Sequence, residues 1–194
     1  MSYILYHLEL AWSFVRGQDE ALYGMDVSRR GLWLSFMAIL IVEPIRFLYA
    51  ALFGHLDQIL LLRAGGLGLY CLELLLDWGM APMLFLGFCA IFGYRDRLVP
   101  LIVSSNWISV VILMIVLLPG ALITPDFVVA EVAVMVMLAI YGFILWMSFR
   151  LYRFVLGCPP SMAVGLAILM LVMGLWSIMV INRLSATLPA LPAA

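Results

Sequence analysis

Long apolar runs alternate with short polar breaks along this chain, and the runs share a common length. Apolar side chains dominate residues 32–52, 67–92, 98–118, 127–149 and 161–181. About 20 residues of helix at ~1.5 Å each cross a ~30 Å hydrocarbon core. The runs are apolar all round rather than along one stripe, as expected of helices that meet lipid as well as each other. The pattern predicts an all-α polytopic membrane bundle of five spans. The breaks are a loop holding His55 and Asp57, the GYRDR turn, the LPGALITPD turn and RLYRFVLGCPP. Links this short favour antiparallel packing of successive spans.

Residues 1–30 follow a different pattern. A helix over 2–16 reaches only ~22 Å and does not span. Ser2, Glu9, Ser13 and Arg16 fall near one stripe, with Leu5, Leu8, Trp12 and Val15 opposite. This predicts an amphipathic helix in the interface or under the bundle, or an arm docked on a neighbouring subunit. The linker RGQDEALYGMDVSRRG follows, with Asp26 or Ser28 placed to cap the first span. The bundle then occupies 31–183, and 184–194 forms an extended tail.

Composition excludes a soluble domain. The chain has 194 residues, 67% hydrophobic and 11% charged, with a mean hydropathy of +1.20. Arg16, Arg29, Arg30, Arg95, Arg97, Arg150 and Arg153 fall on one side of the predicted bundle, and only Arg63 and Arg183 on the other. The positive-inside rule then puts the N-terminus in the cytoplasm and the C-terminus outside. Trp33 and Trp146 suit the inner interface and Trp176 the outer one. The start lacks a basic region and a cleavage site, so no signal peptide is expected. Cys71, Cys89 and Cys158 are widely spaced and read as small buried hydrophobes rather than disulfide or zinc ligands. No internal repeat is visible.

Four ionisable residues lie inside predicted spans: Glu43 and Arg46 in the first, Glu73 and Asp77 in the second. Charge at that depth costs a few kcal/mol or more and normally faces a protein partner. Counting ~1.5 Å per residue puts Arg46 and Asp77 ~10–15 Å below the outer surface. Arg46 is therefore expected to meet Asp77 or Glu73, with Glu43 left nearer the midplane. Ser104, Ser105 and Asn106 lie at a similar depth, so a central group of Glu43 with Asn106 is expected. A Glu131–Arg183 contact is expected at the outer interface. Pro44 and Pro82 interrupt spans, and Pro44 frees a carbonyl near Ala38 that could line a cation site beside Glu43.

Enzyme signatures are absent. His7 and His55 both lie outside the spans, and HExxH, GxSxG, Walker and dinucleotide-binding patterns do not occur. No catalytic residue, cofactor, metal site or nucleic-acid partner is expected.

Three segments, DVSRRGLWLSFMAILIVEP, YCLELLLDWGMAPMLFL and DRLVPLIVSSNWISVVI, carry Ser35-Phe36, Trp78 ahead of Pro82, and Asn106-Trp107. Over about residues 15–120 the chain resembles small bacterial five-span proteins related to the Yip family. The resemblance implies a membrane scaffold or transport-associated role and assigns no catalytic residue.

The leading expectation is a non-enzymatic inner-membrane scaffold or accessory subunit, with a membrane-protein partner or a second copy of itself. The alternative is a small proton- or cation-coupled transporter or channel-like protein using Glu43, Glu73 and Asp77. A water-accessible cavity reaching those carboxylates favours transport; a dry, fully paired cluster favours scaffold. Arg95, Arg97, Arg150 and Arg153 are candidates for contact with anionic lipid headgroups.

Overall fold

A computed structural model describes residues 2–53, 59–63, 65–122 and 130–187. Among them the elements are helices: α1 (Tyr3–Val15), α2 (Arg29–Ser35), α3 (Ala38–Leu52), α4 (Leu67–Phe92), α5 (Leu98–Leu122), α6 (Ala130–Leu156) and α7 (Pro160–Ser185), with short 3-10 turns between. Five stretches are long and apolar enough to cross a membrane, counting α2 and α3 as one. The protein is a multi-pass membrane helical bundle. The predicted start of the fourth span, His55, Asp57 and most of the tail lie outside the described residues.

Several boundaries differ from the sequence expectation: α5 continues through Leu122, taking the first half of LPGALITPD into the helix, and α7 continues through Ser185. α6 runs on through Leu156, so much of RLYRFVLGCPP is helix rather than loop, and it stops at Gly157, which has φ +63°. A left-handed residue at that point ends a helix, and only glycine adopts it without strain. The first span is not one helix. At Phe36–Met37 the backbone changes to i→i+3 bonding, with the N–H of Phe36 to Trp33 O, Met37 to Leu34 O, Ile39 to Phe36 O and Leu40 to Met37 O. Ser35 Oγ donates to Leu32 O at 2.7 Å, a back-bond that competes with the helical ladder and bends it.

α5 is the hub. Half of its spanning stretch is buried, against 6% to 22% for the other spans, and it packs on α1, α2, α3, α4 and α6. α7 closes the bundle against α6 and α4. α3 and α4 are the exception to antiparallel packing of neighbours: they are not among the closely packed helix pairs. Long charged side chains bridge them instead, and the space between them stays open.

α1 docks rather than floats. His7, Ala11 and Phe14 are buried against the bundle; of the predicted apolar stripe Leu8 and Val15 pack against the core, while Leu5 and Trp12 stay 57% and 45% exposed. The docked face is chosen by its partners. His7 Nδ1 lies 2.8 Å from Tyr3 O, and Asp26 N–H donates to His7 Nε2 at 3.1 Å. One nitrogen must donate and the other accept, so the ring carries its proton on Nδ1. The His7 and Trp107 rings lie 5.4 Å apart, with Tyr3 close by. Burial pushes the Tyr3 hydroxyl above its ordinary range. The entry to α2 is tight: Ser28 Oγ caps Gly31 N–H at 3.0 Å, and a Cβ on Gly31 would sit 1.9 Å from Asp26 O.

Candidate functional site

Arg46 on α3 is the centre of an ion-pair group that spans the gap to α4. Its Nη1 lies 3.0 Å from Asp77 Oδ2 and 3.4 Å from Glu43 Oε1, and its Nη2 lies 2.9 Å from Glu73 Oε1. Helical spacing puts Glu43 and Arg46 on one face of α3, and Glu73 and Asp77 on the facing side of α4. The planar guanidinium then reaches three acceptors at once. Glu43 is therefore not left alone near the midplane, as expected from depth. It shares Arg46, and Tyr70 donates its hydroxyl to Glu43 Oε2 at 3.4 Å. Tyr70 precedes Glu73 by three residues, a spacing that places it on the same face and could have been read from the sequence.

One guanidinium faces three carboxylates, so the fully ionised group carries two excess negative charges. It is also open. A cavity of about 820 Å³ has Arg46, Glu73 and Asp77 in its wall, together with Arg63, Asn182 and Ser185. The side chains of Glu73 and Asp77 retain 22% and 36% exposure. Among the described residues no group of three or more His, Cys, Asp or Glu side chains is arranged to hold a metal, because Arg46 occupies the point where the carboxylates converge.

Asn106 does not join Glu43. It is 6% exposed and its Nδ2 donates to Ser35 Oγ at 2.9 Å, tying α5 to the bend in the first span. A short polar side chain on α5 finds the nearer partner, and α2 packs against α5 at that level. Ser35 was legible only as the start of a span, and its role depends on the bend. Pro44 lies inside α3, and the carbonyl it leaves without a helical donor is that of Leu40, four residues back, rather than Ala38's. Glu131 and Arg183 form no ion pair among the described residues.

The four arginines proposed for lipid headgroups divide. Arg95 and Arg153 are exposed, and Arg97 is exposed with Asp96 at 3.3 Å. Arg150 is not available. Its side chain is only 13% exposed, donates to Phe14 O at 3.1 Å, and pairs with Asp19. Its guanidinium also stacks over the Phe14 and Trp146 rings at 4.7 and 4.8 Å. It fastens the N-terminal unit to α6. The cysteines also differ among themselves: Cys89 and Cys158 are buried and Cys71 is exposed. Burial pushes the Cys158 thiol up, away from reactivity.

No family model, curated protein or solved structure matches the chain.

Proposed function

We propose that this is a non-enzymatic bacterial inner-membrane protein that takes up a proton or cation at the Arg46 carboxylates, as a small transporter or channel-like subunit. The supporting observation is the 820 Å³ cavity that reaches Glu73 and Asp77. Three carboxylates share the Arg46 guanidinium, and carboxylates reached by such a cavity, whose wall also holds Arg63, can exchange a proton or hold a further positive charge. The arginine bias supports a cytoplasmic N-terminus, which puts the mouth of this cavity on the periplasmic side.

The test is proton flux into liposomes holding the purified protein. Glu73→Gln and Asp77→Asn are each expected to reduce flux at least tenfold. Flux equal to that of the unaltered protein would remove these carboxylates from the mechanism.

A second reading, a scaffold or accessory subunit of the Yip-like kind, is favoured by one observation: all four charges of the group are joined through Arg46. Such a cluster can set the spacing of α3 and α4 and do nothing else. A monodisperse monomer in mild detergent, with no co-purifying membrane protein and no self-association, counts against that reading.

A further inference from the structure

A second cavity, of about 340 Å³, lies among α3, α4 and α5, and its wall includes Arg46, Asp77, Trp78, Ser105 and Asn106. Asn106 is 6% exposed, and the hydrogen-bond network sets the orientation of its amide. Ser35 Oγ gives its proton to Leu32 O at 2.7 Å, so it must accept from Asn106, and the group 2.9 Å away is the NH₂. Oδ1 is the amide atom left for the cavity, and among the described residues no donor meets it. Ser109 does not supply one, since its hydroxyl donates to the Asn106 backbone carbonyl at 2.8 Å.

On α4, Asp77 Oδ2 accepts from Arg46 Nη1, and no donor among the described residues meets Oδ1. The same space is therefore lined by an anionic acceptor, a buried neutral acceptor and an indole. Of the charged side chains, Arg46 and Asp77 line the cavity itself; Glu43 and Glu73 lie outside its wall but pair with the same Arg46, so the group of four that it borders sums to two negative charges. Ser105, Asn106 and Ser109 of α5 add none. The volume exceeds what a bare ion fills and lies within the ~300–1,000 Å³ of small-molecule sites.

We infer that this cavity binds a small organic cation bearing a primary ammonium. Its N–H donors are shared between Asp77 Oδ1 and Asn106 Oδ1, and Trp78 lies against its charge or its methylene groups. The inference rests on the cation reading above and names the class of cation. A free alkylamine and the aminoethyl headgroup of a phospholipid present the same ammonium.

The experiment follows thermal unfolding of the full chain in detergent micelles. Ethylammonium, sodium and neutral ethanol are titrated in turn. Phosphatidylethanolamine is compared with phosphatidylcholine in mixed micelles. Saturable stabilisation by ethylammonium but not by sodium or ethanol supports a free amine. Stabilisation by phosphatidylethanolamine alone supports the same ammonium carried on a lipid. Asp77→Asn, Trp78→Leu and Asn106→Leu are each expected to weaken the effect at least tenfold. If Asn106→Leu fails to fold because Ser35 loses its donor, Trp78→Leu and the wild-type series still decide. Equal stabilisation by sodium, or none by either amine source, overturns the inference.

Flux keeps the two proposals apart. Carboxylate-dependent proton flux without ammonium binding overturns the ligand and leaves the cation reading standing. Ammonium binding without flux supports the ligand site and overturns transport.

Discussion

Two arginines in this bundle lie beside carboxylates and do opposite things. Arg150 is 13% exposed and meets one carboxylate, one carbonyl and two aromatic rings, so its charge is matched and its surroundings are filled. Arg46 is 35% exposed and meets three carboxylates, which overmatch its charge and border open space. Neither α6 with α1 nor α3 with α4 is among the closely packed helix pairs, so the two sites differ in charge balance and in what fills the space around each guanidinium. An arginine in a membrane protein is thus better judged by the balance of charge around it and by what fills the remaining volume than by its depth.

That contrast can be broken most forcefully at Arg46. Arg46→Met leaves three carboxylates without their cation. It is expected to cost about 3 kcal/mol, the low end for a broken buried pair because the side chain is 35% exposed. Thermal unfolding in detergent measures it, and additional Glu73→Gln should restore part of the loss. Arg150→Met comes next, at about 2 kcal/mol from one charged and one neutral hydrogen bond together with ring contacts. Its signature is local: hydrogen exchange should rise across residues 3–15 while proton flux stays unchanged. A flux loss equal to that of Asp77→Asn would erase the distinction between the two arginines.

Ser35→Ala is expected to cost about 1 kcal/mol by leaving the Asn106 NH₂ without its acceptor, read as a small drop in unfolding temperature. The smallest effect is a pH dependence. The Ser28 hydroxyl and backbone N–H hold the Asp26 carboxyl below the usual carboxylate range. A carboxyl depressed in the folded state stabilises it above the unfolded pKa of about 4, and that contribution is lost as pH falls through the lower folded value. Asp26→Asn should therefore flatten the acid limb of stability around α1 and leave neutral pH nearly unaffected.

The spans were legible because apolar length alone decides them, and the intramembrane charges were legible because any charge there stands out. Their grouping was partly legible: depth counting places Arg46 level with Glu73 and Asp77, but it ranks Glu43 as solitary when i,i+3 spacing already puts it beside Arg46. The bend at Phe36–Met37 was not legible, because Phe and Met are ordinary helix residues and the bend follows from Ser35 and its contact with α5. The docking face of α1 is partly legible: Leu8 and Val15 of the apolar stripe pack against the core, but Leu5 and Trp12 do not, because ring contacts and hydrogen bonds to residues far along the chain turn the helix toward His7, Ala11 and Phe14. The openness between α3 and α4 had no sequence signal, since it depends on which helices do not pack.

The contact between Phe14 and Arg150 also constrains how the protein is made. These residues are 136 positions apart, and α1 leaves the ribosome long before α6 exists. At about 5–20 residues per second, Phe14 waits roughly 7 to 27 s for Arg150 of α6. During that interval the nascent segment presents an uncovered aromatic face. Completion of the N-terminal unit is therefore a late event in biogenesis, set by insertion of α5 and α6 rather than by the order of translation.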